Sequence, residues 1–149
     1  MTEYEREVLG DLRRVFDRPY LVKKIPHGPN ETGLDWNPDF WVEKNGKVIL
    51  VISALGPDTT LENLDARMMN AYATMVLNWE VARHGGTLPA RRRAVIVPDK
   101  VLEELGRERY QKYVYAFDAF DCEVIPRNHI AELELHRDEE DREKQQVSW

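Results

Sequence analysis

The segment that constrains the fold most is the apolar run from Val48 to Leu55, which only Ser53 interrupts. It closely follows Asn45-Gly46, a dipeptide that strongly favours a two-residue hairpin turn, and Phe40–Glu43 precedes that turn as a second strand. A strand with apolar side chains on both faces has to be covered on both sides. The sequence therefore predicts a hairpin whose second strand lies at the centre of a sheet, between layers of helices.

Caps and breakers predict the order of the other elements. Thr2-x-x-Glu5 and Thr59-x-x-Glu62 have the form of capping boxes that open helices with an apolar stripe. The predicted elements are helices over 3–16, 59–84 and within 100–117, and strands over 20–25, 40–43, 47–54, 94–97 and 122–125. A Pro- and Gly-rich loop covers 26–38. The order α-β-β-β-α-β-α-β predicts an α/β sandwich with a mixed central sheet flanked by helices.

Length and composition set the class of protein. The 149 residues amount to about one domain, which we place at 1–128, with a charged C-terminal tail at 129–149 that is helical or frayed. The single cysteine, Cys122, excludes an internal disulfide and a cysteine-rich zinc module. A net charge of −6 argues against a protein whose whole surface binds nucleic acid. With no apolar run long enough for a bilayer and no signal peptide, we expect a cytoplasmic protein without a membrane partner.

Four short motifs in the first two-thirds of the chain occur in a recognisable order. They are Glu5-Arg-Glu-Val8, Val22–Gly28, Pro38-Asp-Phe40 and Asn45–Val51. Together they resemble the PD-(D/E)XK nuclease superfamily, and within it the archaeal Holliday-junction resolvases, over about residues 3–97. The resemblance implies a restriction-endonuclease-like fold and a homodimer. In that family an aspartate after a proline and a Glu-x-Lys on the next strand bind a divalent cation and activate water, and a helix glutamate adds a ligand.

The resemblance fails where the chemistry is most demanding. It assigns Asp39 as the motif aspartate and Glu5 as the helix glutamate, so these two are the candidate metal ligands. The Glu-x-Lys positions, however, are occupied by Ile52 and Ala54. These four positions are therefore vestigial, and no intact catalytic set remains. The sequence leaves open whether the chain is an enzyme, but it favours a degenerate nuclease-like protein without a cofactor.

Two alternatives stay open. In the first, the chain is an active endonuclease that uses magnesium or manganese at a rebuilt site. Its carboxylates would be Asp39, Glu5 and one of Asp58, Glu62 or Asp65, and Arg67 or Lys47 would replace the missing lysine. In the second, the chain is a pure protein-interaction module, which its pI of about 5.3 and the surplus aromatic residues Tyr115 and Phe120 favour.

Basic residues offer a surface for DNA or RNA in spite of the net negative charge. Apart from the pair Arg13-Arg14, the candidates for phosphate contact are Lys23, Lys24, His27, Arg91, Arg92 and Arg93. The leading interpretation of the sequence is therefore a catalytically degenerate, resolvase-like subunit that binds nucleic acid or has a structural role.

Overall fold

The computed structural model describes residues 1–25, 38–84 and 92–133. In chain order the elements are α1 (Glu3–Val15), β1 (Tyr20–Lys24), β2 (Phe40–Lys44), β3 (Lys47–Ala54), α2 (Leu61–His84), β4 (Arg92–Val97), α3 (Asp99–Leu105), α4 (Arg107–Asp118), β5 (Cys122–Pro126) and a 3-10 helix, η1 (Arg127–Glu132). None of the helices in this described part is long and apolar enough to cross a membrane.

The strands form one open mixed sheet in the order β1-β2-β3-β4-β5. The strand β2 is antiparallel to both of its neighbours, β1 and β3, whereas β3, β4 and β5 are parallel to one another and are connected by helices. The central strand β3 is buried from Ile49 to Ser53. The structure thus confirms an α/β fold with a mixed sheet and the central position predicted for the apolar run.

The structure confirms the predicted hairpin turn and the first helix cap, and it shifts the second cap by one residue. Asn45 and Gly46 have φ of 53° and 77°, the left-handed pair that a tight hairpin turn requires. The Thr2 hydroxyl oxygen accepts the amide hydrogen of Glu5, which confirms the first cap. The second cap forms one residue later than predicted, because Thr60 and Asn63 exchange the two capping hydrogen bonds. Thr59 instead donates its hydroxyl to the carbonyl oxygen of Gly56.

The predicted element order is wrong in the last third of the chain. The third helix divides into α3 and α4 at Gly106, whose φ of 88° is incompatible with a continuous helix. A 3-10 helix also follows β5. Ile130 and Leu133 are buried in the core, so the folded part continues past residue 128 into the segment expected to be a tail.

Two apolar layers hold the helices on the sheet. One lies between α1, η1 and the sheet and includes Leu12, Phe40 and Ile52, and the other lies between the sheet and α2, α3 and α4. Because β3, β4 and β5 are parallel, their carboxyl ends meet at one edge of the sheet. The register Lys24↔Phe40↔Ile52 brings the end of β1 and the start of β2 to the same edge. This carboxyl edge carries the site described below.

Two glycines with open space around them give opposite predictions for stability. An added Cβ would meet nothing within 4 Å at Gly10, inside α1, or at Gly106, which has a positive φ. We expect Gly10→Ala to raise the free energy of unfolding by roughly 0.5–1 kcal/mol, because alanine loses less entropy in a helix. Gly106→Ala should lower it by roughly 1–2 kcal/mol, because a Cβ disfavours the left-handed region. Urea unfolding measures both free energies. Equal effects of the two substitutions would contradict a helical Gly10 and a left-handed Gly106.

Candidate functional site

An open cleft of about 1030 Å³ lies at the carboxyl edge of the sheet. Ligands of α/β proteins bind at this edge, where loops leave the parallel strands. The start of α1, the loop after β3, the start of α3 and the first residue of η1 line it. Its charged lining comprises seven carboxylates and two cationic side chains: Glu3, Glu5, Glu7, Asp39, Asp58, Asp99, Glu103, Lys100 and Arg127. The cleft is therefore strongly negative, a potential that attracts cations and repels phosphates.

The structure brings Glu5 and Asp39 together and places the ammonium group of Lys24 between them. The Nζ atom of Lys24 is 3.1 Å from Oε2 of Glu5 and 4.0 Å from Oδ1 of Asp39. The three side chains are only 16%, 17% and 21% exposed for Lys24, Glu5 and Asp39 respectively. The resemblance predicted two neighbouring carboxylates, and these two are neighbours across a lysine.

Strand alternation was the available signal for Lys24. Val22 is buried against α1, and a residue two positions further along a strand faces the same side of the sheet. Lys24 therefore points inward, toward the start of α1. The sequence interpretation grouped it with Lys23 as a phosphate contact and did not apply this alternation.

Asp39 also ties three strands together at the edge. Its Oδ2 atom accepts the amide hydrogen of Ala54 at 2.7 Å. Its own amide donates to the carbonyl of Ile52, and its carbonyl accepts from the amide of Ile25. One carboxylate oxygen of Asp39 is thus engaged by the end of β3.

Lys24 favours the ionised form of Glu5. Partial burial opposes ionisation, but the contact with Lys24, its positive charge and the hydrogen bonds from Thr2 outweigh that effect. The pKa of Glu5 therefore lies below its ordinary value. Since a depressed carboxylate pKa contributes stability above the unfolded-state pKa, this contribution is lost as the pH falls through the folded-state value.

The residues at this edge do not fit the magnesium site that the resemblance implies. Ile52 is completely buried in the apolar layer under α1, and Ala54 packs against the same layer. Magnesium requires several oxygen ligands in octahedral geometry, whereas an ammonium group lies between the two carboxylates. Among the described residues, no group of three or more His, Cys, Asp or Glu side chains is arranged to hold a metal ion.

The carboxylates considered for a rebuilt site have other surroundings. Asp58 forms a two-pronged contact with Arg67 at 2.7 and 2.8 Å, and hydrogen bonding from Arg67 lowers the pKa of Asp58 to about 2. Glu62 and Asp65 are exposed on α2. Lys47 begins β3 and therefore lies at the opposite end of that strand from Ala54.

Several predicted phosphate contacts have internal partners. Lys23 forms an ion pair with Glu43 at 3.2 Å, and Arg92 forms one with Glu123 at 3.2 Å while it also donates to the carbonyl of Leu133. Arg93 is buried and donates twice to the carbonyl of Phe120. Lys24, Arg92 and Arg93 are thus turned to the interior rather than to one exposed face. His27 and Arg91 lie outside the described residues.

The two aromatic residues singled out as surplus differ in position. Tyr115 is 78% exposed on α4, whereas Phe120 packs edge-on against Tyr72 with ring centres 4.5 Å apart. Only Tyr115 of the two is available to a partner on the surface.

No family model, no curated protein and no solved structure matches this chain. The functional argument therefore depends on the fold and on the geometry at the carboxyl edge.

Two adjacent lysines provide a matched test of the role of Lys24. Lys24→Met should lower the free energy of unfolding at pH 7 by about 1–3 kcal/mol, because it leaves partly buried carboxylates without their cation. Lys23→Met removes an exposed ion pair and should cost less than about 1 kcal/mol. Urea unfolding as a function of pH measures both.

The effect of Lys24→Met should shrink as the pH falls below the ordinary carboxyl range, because protonation removes the charges that Lys24 neutralises. Equal costs for the two variants, or a cost of Lys24→Met that does not depend on pH, would contradict the assigned role.

Proposed function

We propose that this chain is a restriction-endonuclease-like domain of the PD-(D/E)XK type that no longer hydrolyses nucleic acid and works as a binding or structural subunit. The observation that carries the proposal is the Lys24 ammonium group between Glu5 and Asp39. The element order supports the likeness in fold: a helix, three antiparallel strands, a long crossover helix and a parallel strand.

Electrostatics explains why an internal lysine favours loss of the metal-dependent reaction. In an active member of the family, the carboxylates balance the charge of a divalent cation. Here the lysine supplies positive charge to the same two carboxylates. Unit charges about 4 Å apart interact by about 4 kcal/mol at an effective dielectric constant of 20, so an added cation would meet strong repulsion from Lys24.

The apolar core supports the same conclusion. Ile52, at the position of the second motif carboxylate, is completely buried. A carboxylate there would need a metal or a hydrogen-bonding partner to offset its burial. The site therefore lacks the second ligand, and the apolar surroundings of Ile52 disfavour a charged one.

The negative potential of the cleft also bears on the partner. Phosphate backbones are repelled by an excess of carboxylates, so the carboxyl edge suits a protein or another cationic partner better than nucleic acid. The predicted DNA- or RNA-binding role is therefore less favoured at this edge than the structural role.

A second candidate function rests on the same lysine. The Nζ atom of Lys24 lies 4.0 Å from Oδ1 of Asp39. In an active endonuclease, Lys24 would then take over the role of the motif lysine, whose position Ala54 occupies. This alternative requires that magnesium or manganese bind beside Lys24.

A cleavage assay separates the two candidates. The full chain is incubated with fluorescent four-way junction, duplex and single-stranded DNA, with magnesium or manganese. We expect no cleavage beyond that of an Asp39→Asn preparation, because the metal-binding set is incomplete. Metal-dependent cleavage that both Asp39→Asn and Lys24→Met abolish would establish the active enzyme instead.

Thermal unfolding with manganese tests whether Lys24 replaces the cation. Manganese should leave the Tm of the natural chain unchanged, because the ammonium group of Lys24 already lies between the two carboxylates and repels a second cation. In Lys24→Met, the freed pair of Glu5 and Asp39 should bind the ion and raise the Tm, by about 2–4 °C for each kcal/mol of binding energy.

The double variant Lys24→Met/Asp39→Asn is the matched control and should lose this stabilisation, while its amide oxygen can still accept from Ala54. A rise in Tm for the natural chain, equal to that of Lys24→Met, would contradict the proposal.

A further inference from the structure

Charge is segregated between the two ends of the sheet. At the end opposite the carboxyl edge, the hairpin turn, the last turn of α1 and the loop between α1 and β1 bring together five cationic residues, which we call the hairpin end: Arg13, Arg14, Arg18, Lys44 and Lys47. All but Lys44 are exposed. The register pairs Lys44 with both Tyr20 and Lys47, and Arg13 reaches the carbonyl of Val22, so these residues surround the start of β1.

Nearby carboxylates offset this positive charge only in part. Asp11 forms an ion pair with Arg14, and Asp17 follows α1 in sequence. Three positive charges remain in excess at the hairpin end. Seven carboxylates line the carboxyl-edge cleft. The two lining cations, together with Lys24 and Arg67, supply four positive charges, so three carboxylates remain in excess.

The two ends also differ in shape. Asn45 and Gly46 form an exposed two-residue turn, a convex tip with a lysine on each side. The cleft is open, and Ala54, Gly56, Pro57 and Pro98 supply small or apolar parts of its lining. A tight hairpin turn loses little further freedom on binding, which favours association through it.

We propose that the hairpin end of one copy of this chain docks into the carboxyl-edge cleft of a second copy. The contact joins two different surfaces, so it is head-to-tail, and each added copy leaves one hairpin end and one cleft open. Charge complementarity between the two ends selects this occupant. The inference goes beyond the proposed function and does not depend on whether the chain cleaves nucleic acid.

Sedimentation velocity of the full chain tests the contact. We expect the average mass to rise with protein concentration at about 0.01 M salt and to fall to that of the monomer at about 1 M, because the Debye length shrinks from about 30 Å to about 3 Å. A monomer at every concentration at low salt would overturn the proposal.

Complementary variants identify the surfaces. The hairpin variant Arg18→Glu/Lys47→Glu and the cleft variant Glu3→Lys/Glu103→Lys change exposed side chains only. Each variant alone should associate at least about tenfold more weakly than the natural chain, because like charges then meet. A mixture of the two should regain association, because the natural cleft of the first variant meets the natural hairpin end of the second, and the two charge-reversed surfaces are again of opposite sign.

The matched control is Arg109→Glu/Lys112→Glu, which makes the same change in net charge on the exposed face of α4. It should associate like the natural chain. Equal loss in this control, or no regained association in the mixture, would overturn the proposal. The proposal would also be overturned if the natural chain stayed monomeric and duplex DNA bound the hairpin end instead.

A cross-linking measurement covers the case in which a charge variant does not fold. Lys47→Cys and Glu103→Cys each add one exposed thiol to a chain whose own Cys122 is buried. Oxidation of an equal mixture at low salt should give disulfides between the two different proteins in excess over disulfides between like proteins. A statistical distribution of products would contradict the head-to-tail contact.

Discussion

The structure around the carboxyl edge depends on how two neighbouring carboxylates share one ammonium group. The ammonium group of Lys24 contacts Glu5 on α1 and lies near Asp39 at the start of β2. Asp39 in turn accepts from the amide of Ala54 at the end of β3. These contacts join the first helix to three strands at the carboxyl edge, so the same charged side chains that line the cleft also stabilise the fold.

Charge distribution explains how an acidic protein can carry a basic surface. The net charge of −6 is a sum over the whole chain, within which the cleft has an excess of carboxylates and the hairpin end an excess of cations. The sequence interpretation spread its basic candidates along the chain, whereas the fold turns three of them inward and gathers other cations around the hairpin turn. Function is therefore better argued from the separate ends of the sheet than from the total charge.

The sequence predicted the elements whose signals are local. Asn45-Gly46 specifies its own turn, Thr2 caps the helix that follows it, and the apolar run of β3 requires a central position. The prediction was wrong where neighbouring residues fit more than one local structure. Thr59 and Thr60 both resemble caps, and Gly106 lies within a helical pattern that its positive φ interrupts. Alternation along β1 was a signal for an inward Lys24 that the sequence interpretation did not use, and the partners of Lys24 depend on how α1 lies over the sheet. The restriction-endonuclease-like fold and the loss of catalysis stay predictions.

Carbon-13 NMR of the side-chain carboxylates of Glu5 and Asp39, during a magnesium titration of the natural chain, shows directly whether Lys24 takes the place of a metal ion. If the ammonium group of Lys24 takes the place of a metal ion between the two groups, the two signals keep their positions as magnesium is added, and Glu5 titrates with a pKa below its ordinary value. Saturable, parallel shifts of both signals with magnesium would show that the pair binds the metal beside Lys24, and would contradict the account.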